Sequence, residues 1–223
     1  MTAPRQGMAV LGGTFDPVHF GHLRSAVEVR EALGVARIKL IPSFSPPHRN
    51  EPASSARDRL AMLRAATADH AYIEVDDREI RREGRSFTID TLRSIREELG
   101  DSISLAMVLG VDAFVLLDSW KAWRHLTDTA HLVVLDRPRA DQRKMSAELK
   151  HFFDSRFVDD PGRLASEPCG LVCRLSLTQL DISSSRIREI LRAGLSADYL
   201  MPSEAIAYLR QHGLYGSDQS TPQ

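Results

Sequence analysis

An α/β fold with a doubly wound, mostly parallel sheet is the class the sequence predicts, on three observations. Short apolar runs alternate with helical patterns along most of the chain, the first run ends in Gly12-Gly13 and opens directly into a helix, and 223 residues at 43% hydrophobic suffice for one substantial core. Met8 to Leu11 reads as the first strand, and His22 to Leu33 as a helix carrying Leu23, Ala26, Val27 and Leu33 at helical spacing, closed by Gly34. The alternation continues with a strand at Ile38 to Ile41, a helix at Arg57 to Ala68, a strand at Ala71 to Val75, and a helix at Thr88 to Leu99 stopped by Gly100. Strands at Leu105 to Leu109, His131 to Leu135 and Leu171 to Leu175 follow, with short helical pieces between Ala113 and Leu126. Helices at Ser183 to Arg192 and Ser203 to Gln211 end the pattern, capped by hydroxyls, Pro202, Gly194 and Gly213. Right-handed crossovers then cover both sheet faces, and ligands gather at the C-terminal ends of the strands.

Residues 1–216 read as a single domain, helical in its C-terminal part from about 183, with a polar tail at 217–223 expected to be disordered. The charged, proline-bearing stretch Arg137 to Pro168, with one helix near Ser146 to Phe153, reads as a surface excursion. The 29 Lys and Arg nearly cancel the 30 Asp and Glu, so there is no basic field to attract nucleic acid. No apolar run approaches the ~18 residues of a membrane span and no targeting segment is visible, so a cytoplasmic location and no membrane partner are expected. Cys169 and Cys173 fit neither a disulfide framework nor a zinc site and read as reduced core thiols. The oligomeric state is left open, with a homo-oligomer allowed.

The densest chemistry lies in Gly12-Gly13-Thr14-Phe15-Asp16-Pro17-Val18-His19-Phe20-Gly21-His22. Small glycines before a helix N-terminus let backbone amides and the helix dipole meet an anion. The loop lacks the Gly-Lys-Ser/Thr of a Walker loop and the Gly-x-Gly spacing of a dinucleotide fold. Instead His19 and His22 stand one helical turn apart, so both imidazoles can address one phosphate. Either histidine alone reads as readily as a buried or capping residue; the pair, flanking Gly21 at this point, is harder to explain by packing. Pro46-Pro47-His48-Arg49 is a stiffened loop presenting an imidazole and a guanidinium, or simply an exposed turn. Ser183, Ser184 and Arg188 offer hydroxyl donors and a fixed charge at a helix start, or ordinary capping, and Trp120 and Trp123 read equally as core.

The motif His19-Phe20-Gly21-His22 after Gly13-Thr14-Phe15-Asp16-Pro17 resembles the His-x-Gly-His signature of the nucleotidylyltransferase superfamily. That superfamily also includes pantetheine-phosphate and cytidylyl transferases and class I aminoacyl-tRNA synthetases. Pro46-Pro47-His48-Arg49, Ser86-Phe87-Thr88, Leu109-Gly110-Val111-Asp112, Asp118-Ser119-Trp120-Lys121 and Ile182-Ser183-Ser184-Ser185-Arg186-Ile187-Arg188 narrow it, being similar in order and spacing to bacterial nicotinate-nucleotide adenylyltransferases. Ser185 stands where that family often has Thr, which keeps the hydroxyl. The resemblance runs from about Met8 to Tyr215 and covers the excursion least.

The resemblance implies a Rossmann-like nucleotidylyltransferase fold and adenylyl transfer from ATP to nicotinate mononucleotide, releasing pyrophosphate. It implies His19, His22 and Arg188 as catalytic groups, with Gly12, Gly13, Thr14, Phe15, Gly110, Asp112, Ser183 and Ser184 completing the ATP site. His48 and Arg49 would face the substrate phosphates, Trp120 would stack on the pyridine ring, and backbone amides near Thr88 and Lys121 would meet its carboxylate. Magnesium is expected to arrive with ATP, because no carboxylate cage is visible. Rival readings keep the fold with another acceptor, such as nicotinamide mononucleotide or phosphopantetheine, or bind ATP as a non-catalytic sensing module.

Overall fold

The computed structural model of the protein describes residues 7–46, 51–136 and 145–216. Among them, seven strands form one sheet in the order β3-β2-β1-β4-β5-β7-β6, every pair parallel. The strands are β1 (Gly7–Gly13), β2 (Ile38–Pro42), β3 (Ile73–Val75), β4 (Ser104–Gly110), β5 (His131–Leu135), β6 (Phe157–Val158) and β7 (Val172–Leu175). Helices α1 (Phe20–Leu33), α2 (Ala56–Thr67), α3 (Arg78–Arg82), α4 (Thr88–Leu99), α5 (Val111–Phe114), α6 (Leu126–Thr129), α7 (Ala147–Phe153), α8 (Ser184–Arg192) and α9 (Ser203–Gln211) connect or follow them.

The period of two along each strand divides the core between the faces. Ala9, Ala106, Val108 and Val133 join α1, α2, α8 and α9 on one side, while Val10, Leu105, Met107, Leu109, Leu132 and Val134 join α4, α5 and α7 on the other. Gly34 closes α1 in the left-handed conformation, φ 66°, and donates to the carbonyls of Arg30 and Glu31, the stop its position predicts. Strand order reverses between β1 and β4, so the crevice of this sheet opens where Gly13 and Gly110 end their strands.

Three readings need correction. Helix α1 begins at Phe20 rather than His22, because His19 itself is the N-cap in extended conformation. The excursion is not confined to the surface: from residue 145 onward it supplies α7 with fully buried Leu149 and Phe153, the edge strand β6, and a 3₁₀ turn at Pro161–Ser166 that buries Leu164. The helix at Ser146 to Phe153 is legible in the sequence, but its i, i+4 pair Leu149 and Phe153 is too short a stripe to show burial against the sheet, and Leu164 stands alone in its turn. Cys173 is buried, but Cys169 is only partly so, its thiol donating to the Asp128 carbonyl at 3.3 Å. Helix α3 and strand β6, of five and two residues, are too short to display a repeat in the sequence. The 217–223 tail lies outside the described residues.

Candidate active site

The site begins where β1 stops. Phe15 turns the chain at φ 51°, a left-handed conformation that is costly for a bulky residue, and its ring is 1% exposed. That ring lies over Gly13, where an added Cβ would stand 3.0 Å from it, so a side chain at 13 would have to displace the buried ring by a few tenths of an ångström. The Phe15 side chain is thus part of the core, and its backbone is what the loop presents beside Thr14. The same ring meets His22 edge-on, centroids 5.0 Å apart, and His22 stacks on His19 at 3.7 Å. Gly21 fits closely in turn, because a Cβ there would stand 3.0 Å from the His19 ring and press it aside.

The His19 backbone N–H donates to His22 Nδ1 at 3.3 Å, which puts the proton of a neutral His22 on Nε2. His19 is 5% exposed and His22 half-buried, so His22 is the accessible imidazole and His19 the one behind it. Helix α8 closes this side. Ser184 Oγ donates to the Pro17 carbonyl at 2.9 Å, and Arg188 reaches the Asp16 carbonyl at 2.5 Å and the Asp16 carboxylate at 3.5 Å. Ser183 caps α8 by accepting from the Arg186 N–H at 3.2 Å, so the capping reading describes its side chain.

A second group gathers beyond β2. Ser86 N–H donates to the Ser45 carbonyl at 3.0 Å and Ser86 Oγ accepts from Phe44 N–H at 2.9 Å, which brings the start of α4, with half-buried Thr88 as its first residue, against the stem of the Pro46 loop. Lys121 Nζ spans to Asp90 in the first turn of α4 at 2.9 Å and lies 4.6 Å from the Phe87 ring centre. Trp120 precedes it, half-buried against the α4 core, whereas Trp123 is buried core. Gly110 is the N-cap of α5 and Asp112, exposed, lies in its first turn, at the crevice end of β4. His48 and Arg49 lie outside the described residues.

A family model described as cytidylyltransferase-like matches residues 10–190. A probable nicotinate-nucleotide adenylyltransferase of Acidithiobacillus ferrooxidans is 43% identical over 210 residues, covering 94% of this chain and 96% of that one. Its counterpart in Pseudomonas entomophila is 46% identical over 208 residues, covering 93% and 94%. The chain belongs to the nicotinate-nucleotide adenylyltransferase family. A Plasmodium falciparum nicotinic acid mononucleotide adenylyltransferase complexed with NaAD has the same fold at TM-score 0.70 and 16% identity, covering 96% of this chain and all of that one.

In this family member two buried charged residues underlie the site, and neither was assigned a role from sequence. Asp16, 5% exposed, accepts from Ala53 N–H at 2.8 Å, Ser54 N–H at 3.2 Å, and the hydroxyls of Ser54 and Tyr215 at 2.7 Å each. Burial acts to raise its pKa, but these hydrogen bonds and the Arg188 charge outweigh it and hold the carboxyl below the ordinary value. Burial beside that anion pushes the Tyr215 phenol upward, so it stays a donor. Arg59, 1% exposed, donates to the carbonyls of Thr14 and Ser43 at 2.7 Å and of Phe44 at 3.0 Å. Burial lowers its pKa, but an arginine remains a cation near neutrality. One signal was available: Arg59, Met62, Leu63 and Ala66 follow the i, i+3, i+4, i+7 stripe, so Arg59 occupies an inward position.

Among the described residues no group of three or more His, Cys, Asp and Glu side chains is placed to hold a metal ion. Asp16, the carboxylate nearest the histidine loop in sequence, has both oxygens engaged by protein donors.

Proposed function

We propose that the chain transfers the adenylyl group of ATP to the phosphate of nicotinate mononucleotide, giving nicotinate adenine dinucleotide and pyrophosphate in NAD biosynthesis. The observation that carries this reading is the stacked His19–His22 pair at the N-terminus of α1, beside the crevice between β1 and β4. There the amides of residues 12–15 and the helix dipole favour the ATP phosphates, and an added Cβ at Gly12 would meet nothing within 4 Å, so space for them is open. His22 Nε2 stabilises charge developing at the α-phosphate, while Arg188 and Ser184 support the departing pyrophosphate. Gly110 and Asp112 line the adenosine side.

The acceptor needs no general base. A phosphate monoester is largely dianionic at neutral pH, its second pKa being about 6, so its oxygen attacks the α-phosphorus directly. The α-phosphorus–oxygen bond to the β-phosphate breaks as the new one forms, and catalysis is positioning plus charge stabilisation. Magnesium enters on the ATP phosphates as part of the substrate. His48 and Arg49 hold the acceptor phosphate, Trp120 stacks on the pyridine ring, and the amides near Thr88 and Lys121 bind its carboxylate.

Pyrophosphate release from Mg–ATP with nicotinate mononucleotide tests this, with nicotinamide mononucleotide and phosphopantetheine as competing acceptors. Turnover with phosphopantetheine alone would move the chain to another acceptor class, and tight ATP binding without any turnover would make it a sensing module.

A further inference from the structure

We propose that Asp16 and Arg59 form a two-point clamp that holds two stems, Ser43–Phe44 after β2 and Ala53–Ser54 before α2, in register with the β1–α1 phosphate loop, and so sets the spacing between the acceptor side of the site and the ATP phosphates. This rests on the adenylyl-transfer reading above. The two residues grip opposite stems of the same segment. Arg59 takes the entering stem through the carbonyls of Ser43 and Phe44 and ties it to the Thr14 carbonyl. Asp16 takes the leaving stem through the amides of Ala53 and Ser54 and the Ser54 hydroxyl. Thr14 and Asp16 are two residues apart in the loop that leads to His19 and His22, so both stems are referred to the phosphate loop itself.

Stability alone does not account for these choices. A buried ion is costly to desolvate, and apolar residues of similar volume often stabilise a fold as well or better. What a guanidinium adds is a planar fork that fixes three carbonyls on two loops, and what a carboxylate adds is a point where several donors must converge. Tyr215 supports the second point from the far end of the chain: its hydroxyl donates to Asp16 and lies 2.7 Å from Ser54 Oγ. Asp16 also meets Arg188 at 3.5 Å, so one carboxylate relates the acceptor stem, the phosphate loop and α8. Where no general base operates, such spacing stands beside charge stabilisation as what the protein controls, and a misplacement of about 1 Å costs roughly 100-fold in rate.

Asp16 and Arg59 are thus positioning residues, tested by Arg59→Lys and Tyr215→Phe. A single ammonium cannot span three carbonyls, and loss of the phenol oxygen removes one of the donors on Asp16. For each variant kcat and KM are measured with ATP and nicotinate mononucleotide, together with calorimetric binding of each substrate alone and amide exchange at residues 43–45 and 53–55. Arg59→Lys is expected to lower kcat about 10- to 100-fold with single-substrate binding unchanged and faster exchange at the stems. Tyr215→Phe is expected to give a smaller fall in kcat with faster exchange at 53–55, and it decides the matter should Arg59→Lys not fold. Faster exchange with unchanged kcat, unchanged exchange, or a loss confined to KM overturns the clamp. A wild-type protein inactive on nicotinate mononucleotide would instead overturn the adenylyl-transfer reading, while exchange at the stems would still report whether the two residues hold them.

Discussion

The two edges of the sheet are finished by the same device and put to different uses. At the N-terminal edge, Arg96 near the end of α4 donates to the carbonyls of Gly100, Ile103, Thr129 and Pro168. At the C-terminal edge, Arg59 donates to those of Thr14, Ser43 and Phe44. In a parallel α/β sheet, helix C-termini collect at the first edge and leave carbonyls wanting donors, so an arginine closes the structure there. Helix N-termini collect at the second, and the amides of α1, α4 and α5 face an edge where Gly12 is exposed and His22, Thr88 and Trp120 are half-buried. The difference teaches that polarity of the helices, rather than the presence of buried charge, makes one edge the candidate site and the other a seam. Substitutions of the half-buried side chains that face the C-terminal edge should therefore change rate more than stability, and those of the groups that close the N-terminal edge the reverse.

The largest effect is expected from His22→Ala. Removing a comparable donor to developing charge costs roughly 100- to 1000-fold in rate, and because the imidazole is half-buried and outside the apolar core clusters, Tm should fall little beyond the loss of its bond from the His19 N–H. A pyrophosphate assay beside a thermal melt checks both halves. Near-normal turnover in the folded variant would remove the histidine pair from the mechanism, and a large fall in Tm would erase the contrast between the edges.

Next comes discrimination between acid and amide acceptors. Converging backbone amides satisfy a ring carboxylate but leave a carboxamide NH₂ facing another donor. Nicotinate mononucleotide should be used at least ~100-fold more efficiently than the nicotinamide form, about 2.7 kcal/mol in the transition state, as kcat/KM for the two measures directly. Trp120→Ala should weaken both acceptors alike, since stacking does not distinguish the rings. Equal use of both would mean that amides near Thr88 and Lys121 do not form the selective pocket.

How far these contrasts were legible in the sequence depended on range. Gly34, Gly100, Ser183 and the apolar runs of β1, β2, β4 and β5 act within a few residues, so the alternating elements and the edge that gathers His19, His22, Gly110 and Thr88 could be read directly. Asp16 and Tyr215 lie 199 residues apart, and no local pattern announces that they meet. The tie between Ser86 and the Phe44–Ser45 stem is equally remote from periodicity. Lys121 was visible by resemblance, but its bridge to Asp90 needed the fold.

The smallest effect is expected at the seam, from His131. It opens β5 at 0% exposure, its Nε2 donates to the Glu167 carbonyl at 2.8 Å, and its Nδ1 accepts from Leu171 N–H at 3.1 Å. That pairing requires the neutral ring, since a proton on Nδ1 would face a donor. Burial lowers its pKa, and the nearby Arg96 charge acts the same way against the opposing pull of the Glu167 and Leu164 carbonyls and the Glu167 charge. The folded value thus lies below the unfolded one, near 6.5, so the unfolded chain takes up a proton that the native state refuses as pH falls. Stability contributed here is full above about pH 6.5 and declines below it by at most ~1.4 kcal/mol per pH unit, until the folded group also protonates. Urea unfolding of the wild type and His131→Gln at pH 7.5, 6.5 and 5.5 isolates the term, because the other histidines are common to both. The variant should be less stable at pH 7.5 yet lose less on acidification, with kcat at pH 7.5 close to normal. Parallel acid slopes would show that His131 does not carry the proton linkage, and a matching fall in kcat would show that the N-terminal seam and the catalytic edge are coupled after all.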